Sequence, residues 1–201
     1  MKIIGITGPS GCGKGFLSEE LAKRGYVHAD ADAIYHDLLG RSAPLREELV
    51  RTFGADIEKD GVIDRKVLGG KVFGAKNRRK LEKLNKITHK YVCRAYVQLI
   101  LQLKAENVKG LIIDAPLLLE ARLHTLCDLT VAVLCDEETR ITRIMARDGI
   151  DREAALLRIR SQKPIAFYAK HCGYAFRNDS ADAVQETAAH IDNLLQEEKD
   201  H

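Results

Sequence analysis

One short segment limits this chain more than any other. Gly8-Pro9-Ser10-Gly11-Cys12-Gly13-Lys14-Gly15 follows the apolar run Lys2 to Thr7 and precedes an amphipathic stretch. It matches G-x-x-x-x-G-K in the strand-to-helix setting which that pattern requires. Glycines there let successive backbone N–H groups turn inward around an anion. The helix N-terminus adds partial positive charge, and Lys14 adds a full one. Gly8, Pro9, Ser10, Gly11, Cys12, Gly13, Lys14, Gly15 and Phe16 are therefore the expected phosphate cradle. Phe16 to Arg24 reads as a helix with Leu17 and Leu21 four apart, stopped by Gly25. The usual pattern places Ser or Thr after the lysine, because that hydroxyl ligates the magnesium on the nucleotide phosphates. Here Gly15 and then Phe16 follow, and neither side chain carries an oxygen.

The rest of the chain is punctuated like an α/β protein. Tyr26 to Ala29 reads as a short second strand. Leu111-Ile112-Ile113 and Leu129 to Cys135 are continuous apolar runs, which suit parallel strands covered on both faces. Gly173 to Arg177 is a further strand candidate. A last helix begins at a cap on Asp179 or Ser180, with Val184, Ala188, Ile191 and Leu195 along one face. Between the second and third strands the pattern is helical. Pro44 suits the first turn of a helix carrying Leu45, Leu49 and Phe53, with Gly54 at its end. Asp60-Gly61 marks a turn. A long helix follows from about Asn77 to Glu106, with Leu84, Tyr91, Ala95 and Leu99 on one side. This block is too long for one crossover and reads as a helical insertion.

Composition narrows the function classes. The 201 residues match one ordinary domain, or one with a modest insertion, and 45% are hydrophobic, enough for a sizeable core. With 32 basic and 29 acidic residues the net charge is only +3, which excludes a polybasic DNA-coating protein. The cluster Lys76, Arg78, Arg79, Lys80, Lys83, Lys86 and Lys90 lacks interleaved aromatics. It reads as a solvated helix face, or as an attraction for an anionic substrate, rather than a nucleic-acid surface. No apolar run approaches the ~18 residues that span a bilayer. The N-terminal apolar stretch is too short for a signal peptide, so a cytoplasmic protein without membrane partners is expected. Cys12, Cys93, Cys127, Cys135 and Cys172 are odd in number and contain no C-x-x-C pair. Reduced, mostly buried thiols are expected rather than a disulfide framework or a zinc site.

Several residues carry candidate chemistry. Asp30 and Asp32 end the second strand, where a carboxylate can orient and deprotonate an attacking hydroxyl or simply cap the next helix. Asp114 follows the third strand and reads as a magnesium-binding carboxylate, or as a cap before Pro116. Arg140, Arg143 and Arg147 fall at i, i+3 and i+7, on one helix face. They suit either a phosphate clamp or a solvated surface.

Taken in order, the glycine loop, Asp30-Ala31-Asp32, Asp114-Ala115-Pro116-Leu117-Leu118-Leu119-Glu120, Arg140, Arg143, Arg147-Asp148-Gly149 and Gln162-Lys163-Pro164 resemble the dephospho-coenzyme A kinase family. The resemblance covers nearly the whole chain. It implies an α/β, three-layer P-loop NTPase-type fold with a parallel sheet, a helical substrate-domain insertion and a helical lid. The nucleotide-binding core would comprise residues 1–40, 111–135 and 173–201, the coenzyme A-binding insertion 41–110, and the lid 136–172. The implied reaction is transfer of the ATP γ-phosphate to the ribose 3′-hydroxyl of dephospho-coenzyme A, with Mg²⁺. Asp32 is then the expected catalytic base, beside Lys14 and Arg140. Arg140, Arg143, Arg147 and Asn178 would contact ATP. Asp32, His89, Pro116, Leu117 and Glu120 would contact the acceptor, with Glu120 on a short helix and also open to a structural pairing. Asp32 and Asp114 would serve the metal in place of the missing hydroxyl. The chain departs from the family at Gly15, at His89-Lys90 where a His-Pro pair is usual, and at Cys172-Gly173 where Ala-Asp is favoured. Two other readings remain open: another small-substrate P-loop kinase, of the nucleoside-monophosphate type, and a catalytically silent relative that binds nucleotide or coenzyme A.

Overall fold

The apolar runs that lack any period become strands. The computed structural model describes residues 1–197. In chain order the strands are β1 (Lys2–Thr7), β2 (Tyr26–Asp30), the short pair β3 (Glu58–Lys59) and β4 (Val62–Ile63), β5 (Gly110–Asp114), β6 (Leu129–Leu134) and β7 (Tyr174–Arg177). The helices are α1 (Lys14–Lys23), α2 (Ala31–Arg41), α3 (Ala43–Phe53), α4 (Arg65–Val72), α5 (Arg78–Ala105), α6 (Glu137–Asp148), α7 (Arg152–Arg160), α8 (Ile165–His171) and α9 (Ala181–Glu197). Two compact units result: Asp30–Gln102, and Met1–Ala29 together with the described chain from Leu103 onward.

The unit made of Met1–Ala29 and the described chain from Leu103 onward is built on a five-stranded sheet in the order β2-β5-β1-β6-β7. The β1–β5, β1–β6 and β6–β7 pairings are parallel. The two faces of β6 show why its sequence lacks a period. Val131 and Val133 join Ile4, Ile6 and Ile112 in a core shared with Leu17 and Leu21 of α1 and Val184, Ala188, Ile191 and Leu195 of α9. Ala132 and Leu134 point the other way, against Tyr168 and Ile165 of α8. Helices on both faces make three layers. The chain leaves β1 toward β2 and β5 on one side and toward β6 and β7 on the other. The loop after β1 therefore lies at the switch point where α/β sheets bind ligands.

α1 begins at Lys14, two residues before the start that periodicity suggests. Gly13, at φ 82°, is its N-cap and lets Lys14 enter the helix directly. The segment after β5 forms successive turns through residue 122 and then a 3₁₀ turn at Leu123–Leu126, so Glu120 sits on an exposed turn rather than on a short helix.

The Asp30–Gln102 unit has its own core of Leu39, Leu45, Leu49, Ile57, Ile63, Leu68, Val72, Leu84 and Ile87. Side chains start its helices: Asp30 for α2, Ser42 for α3, with Pro44 in the first turn, and Asp64 for α4. Asp60 and Gly61, at φ 52° and 77°, close the β3–β4 hairpin as the turn that Asp-Gly favours. The buried line of α5 is Leu84, Ile87, Thr88, Val92, Tyr96, Ile100 and Leu103. It is wider than the expected stripe of Leu84, Tyr91, Ala95 and Leu99 and is displaced by one residue along most of its length.

Candidate active site

The phosphate-loop sequence folds as a loop with no room for side chains at its two ends. Gly8 has φ 146°, and a Cβ there would lie 2.3 Å from Val133 O. Gly13 has φ 82°, and a Cβ there would lie 2.3 Å from Asn178 Nδ2. Gly15 differs: its φ is ordinary and a Cβ would meet nothing within 4 Å.

Polar side chains from distant elements hold the loop. Arg140 Nε donates to Ser10 O at 2.9 Å and its Nη2 to Gln162 Oε1 at 3.0 Å. The same Gln162 oxygen accepts Ser10 N–H at 3.0 Å. Asn178 Nδ2 donates to Cys12 O at 2.9 Å. Arg143 reaches Gly11 O and Asn178 O, both at 3.4 Å, and Arg147 reaches Ser10 Oγ at 3.4 Å. Lys14 Nζ donates to Gly8 O at 3.1 Å. The three arginines do share one face of α6, and all three meet the loop. Arg140 is buried, and its partners Ser10 O and Gln162 Oε1 are uncharged. No carboxylate among the described residues neutralises it, so its charge acts on the loop. Arg147 is tied mainly to Asp148, at 2.8 Å.

Asp114 ends β5 and is buried. Its Oδ2 accepts the Ser18 hydroxyl at 3.0 Å and lies 3.5 Å from His28 Nε2. Ser18 and His28 were not among the expected site residues. A serine on the same face of α1 as Leu17 and Leu21 was the available signal, because a buried hydroxyl needs a partner. Among the described residues no group of three or more His, Cys, Asp or Glu side chains converges as a metal site. A single buried carboxylate still suits a magnesium ion that keeps most of its water and leans on nucleotide phosphates.

Beside the loop lies a cavity of about 270 Å³ lined by Phe16, Glu19, Glu20, Arg143, Asn178, Ser180, Val184 and Gln185. Phe16 is 58% exposed and offers a ring face there. Pro116 is tied to β1, its carbonyl accepting from Thr7 Oγ1 at 3.2 Å, while Leu117 and Glu120 are exposed.

Asp32 and His89 belong to the other unit. Asp30 Oδ1 accepts Asp32 N–H at 2.7 Å and Ala33 N–H at 2.9 Å, so Asp30 is the cap of α2. Asp32 itself is exposed in the first turn of that helix. His89 is half-buried on α5, and burial lowers its pKa below the usual imidazole value. Within the basic cluster, Lys90 pairs with Glu48 at 2.5 Å and Arg78 with Glu82 at 3.1 Å.

Known proteins supply the wider frame. A family model described as dephospho-CoA kinase matches residues 2–183. The dephospho-CoA kinase of Carboxydothermus hydrogenoformans is 37% identical over 200 residues, 99% of this chain and 95% of that one. Among solved structures, TT1252 from Thermus thermophilus superposes with a TM-score of 0.77 at 31% identity, over 98% of this chain and 97% of its own. The dephospho-CoA kinase from Campylobacter jejuni gives a TM-score of 0.60 at 26% identity, over 98% and 96%.

Proposed function

The chain belongs to the dephospho-CoA kinase family, the kinases of the last step of coenzyme A synthesis, and we propose that it moves the ATP γ-phosphate to the ribose 3′-hydroxyl of dephospho-coenzyme A. The observation that carries this reading is the glycine loop clasped by Arg140, Gln162 and Asn178, with Lys14 at the start of α1 and the buried Asp114 beside that helix.

Phosphoryl transfer asks little covalent chemistry of a protein. It needs positioning and compensation of the charge that spreads over the transferring oxygens. Loop N–H groups, Lys14 and Arg140 supply fixed positive charge on one side of the reacting group. Arg143 and Arg147 add to it, and as bidentate donors they suit phosphate geometry. The cavity beside Phe16 suits the adenine of ATP: the ring offers a stacking face, and Asn178 and Gln185 offer amide groups.

The acceptor hydroxyl is a poor nucleophile until its proton has somewhere to go. Asp32, exposed at the start of α2, takes that role and also orients the hydroxyl. Asp30 does not compete for it, since its carboxylate is spent on the cap. His89, Pro116, Leu117 and Glu120 are the acceptor-side contacts. Asp114 and Asp32 would hold Mg²⁺, which supplies charge neutralisation on the phosphates when bound. Ser18 orients Asp114 by donating to one of its oxygens.

Residues 41–110 are read as the coenzyme A-binding insertion, 136–172 as the lid, and the rest as the nucleotide core. The partner is a small molecule rather than nucleic acid. A cytoplasmic setting is part of this reading; no helix among the described residues is long and apolar enough to cross a membrane.

A second reading rests on Gly15, which leaves the helix start without a hydroxyl: a nucleotide binder without turnover. The deciding experiment incubates the chain with ATP, Mg²⁺ and dephospho-coenzyme A, with nucleoside monophosphates as parallel acceptors. ADP release that requires dephospho-coenzyme A, with a 3′-phosphorylated product, is expected. Tight ATP binding without turnover on any acceptor would favour the second reading.

A further inference from the structure

The phosphate loop contains a cysteine that phosphoryl transfer does not use. Cys12 is buried, and so is Cys135, the residue after β6. Their sulfurs lie 3.4 Å apart, with the Cys135 thiol donating to Cys12 Sγ. Cys135 Sγ also lies 3.7 Å from Gly11 O. The fold makes this contact: β6 runs beside β1, and its end meets the loop that leaves β1. Sulfurs at that distance are in van der Waals contact, about 1.4 Å beyond a bonded pair.

The two sulfurs are not equivalent. The hydrogen bond from Cys135 lowers the pKa of Cys12 below the ordinary thiol value. Burial opposes this, while the charges of Arg140 and Lys14 reinforce it. Cys135, as the donor, is pushed up. Cys12 is thus the nucleophile and Cys135 the resolving thiol. Cys127 and Cys172 lack this asymmetry, since burial pushes them up to about 12 and about 11.

We propose that Cys12 and Cys135 form an oxidation site for small hydroperoxides, and that their disulfide disables the phosphate loop. The Cys12 thiolate attacks one peroxide oxygen. The O–O bond breaks, and the departing hydroxide takes a proton and leaves as water. Cys12 is then a sulfenic acid. The Cys135 sulfur attacks the Cys12 sulfur, its proton passes to the departing hydroxyl, and a second water leaves as the S–O bond breaks. Two thiols and one hydrogen peroxide give one disulfide and two waters, with two electrons passing from sulfur to oxygen. Burial selects the oxidant class: hydrogen peroxide is scarcely larger than water, whereas oxidised glutathione is too bulky for this contact.

Closing the gap must move one side. β6 is fixed between β1 and β7, so the loop gives way. Cys12 O is held by Asn178 at 2.9 Å and Ser10 O by Arg140 at 2.9 Å. Dragging Cys12 toward β6 breaks that clasp and turns loop N–H groups away from phosphate. This consequence rests on the loop being the ATP cradle; the oxidation itself does not.

The test titrates hydrogen peroxide onto the full chain. Unreduced protein is then mapped by mass spectrometry, and turnover and ATP affinity are measured alongside. A peptide linking Cys12 to Cys135 is expected, with a loss of turnover of about tenfold or more that tracks the link. Dithiothreitol should restore activity, and oxidised glutathione should form no link. The Cys135→Ser chain should match the untreated wild type in turnover and form no link. Without a resolving thiol its Cys12 passes on to sulfinic acid, which dithiothreitol does not restore. If serine at 135 unfolds the chain, Cys135→Ala takes its place. Oxidation confined to Cys93, Cys127 or Cys172 overturns the site. A Cys12–Cys135 link with unchanged turnover and ATP affinity overturns the disabled loop. If the untreated chain has no kinase activity, the proposed function fails separately, and the linked peptide still decides the oxidation site.

Discussion

The phosphate loop and the Asp30–Gln102 unit are specified in opposite ways. The loop is a backbone object. Its conformation depends on positions where side chains are forbidden, such as Gly8 and Gly13, and on polar groups brought in from α6 and from the segments just after α7 and β7. The Asp30–Gln102 unit is a side-chain object. Its shape depends on Leu45, Leu49, Ile57, Leu68 and their neighbours filling a core, with Asp30, Ser42 and Asp64 starting helices. A loop of the first kind loses function before stability when disturbed. A core of the second kind loses stability first.

The widest effect tests whether the second unit also carries chemistry. Asp32→Asn keeps the shape and removes the proton acceptor. Turnover should fall ~10²–10⁴-fold while ATP affinity, measured without Mg²⁺, stays unchanged. Turnover within about threefold of wild type would remove Asp32 from the base role and leave that unit purely architectural.

A matched pair comes next. Gly13→Ala adds one methyl where the nearest atom, Asn178 Nδ2, is 2.3 Å away and φ is 82°. ATP affinity and turnover should drop together by ~10²-fold, with a modest change in the unfolding midpoint. Leu49→Ala removes a fully buried side chain. It should cost about 2–5 kcal/mol in denaturant unfolding and leave the ATP affinity of the folded fraction intact. If the two variants behave alike, the contrast between backbone and side-chain specification is wrong.

Much of the first region was legible because its requirements lie in consecutive residues. The glycines, Lys14 and the apolar strand before them sit within one short window. Asp114 was legible from its place at a strand end. Its partners were not: Ser18 is 96 positions away, and only the fold brings it there. The Cys12–Cys135 contact, 123 positions apart, was invisible for the same reason. In the second unit the capped helix from Ala43 and the long α5 were legible from periodicity. α4 was not, because eight residues containing Gly69 and Gly70 make a weak helical pattern. The α5 stripe was misregistered because a helix buried over a wide arc gives no single line of contacts.

Ser18→Ala asks how far the loop region depends on one side-chain contact. Asp114 would lose its donor, and a charge-assisted hydrogen bond of this kind is worth ~1.5–3 kcal/mol. The Mg²⁺ concentration for half-maximal turnover should rise about tenfold, and Ser18→Thr should restore most of it. An unchanged Mg²⁺ requirement would reduce Ser18 to packing.

The smallest effect is the most informative about the loop. Gly15 is the one loop glycine that the geometry does not demand: no φ in the left-handed region, and no atom within 4 Å of a Cβ. Gly15→Ser should therefore fold without strain and gain slightly in helix propensity, by about 0.5 kcal/mol. The added hydroxyl would stand at the start of α1, one turn before Ser18 on the same helix. If the wild type fills that place with a water on the ion, the serine replaces one ligand among several. The half-maximal Mg²⁺ concentration should then fall only about two- to threefold, because the ion keeps most of its waters. Titrating Mn²⁺ binding to the ATP complex of both chains supplies a readout separate from turnover and should move in the same sense. A requirement that stays level or rises, with folding intact, would mean that Asp114, held by Ser18, already completes the site. The loop would then be a backbone object even at the position where most of its kind use a side chain.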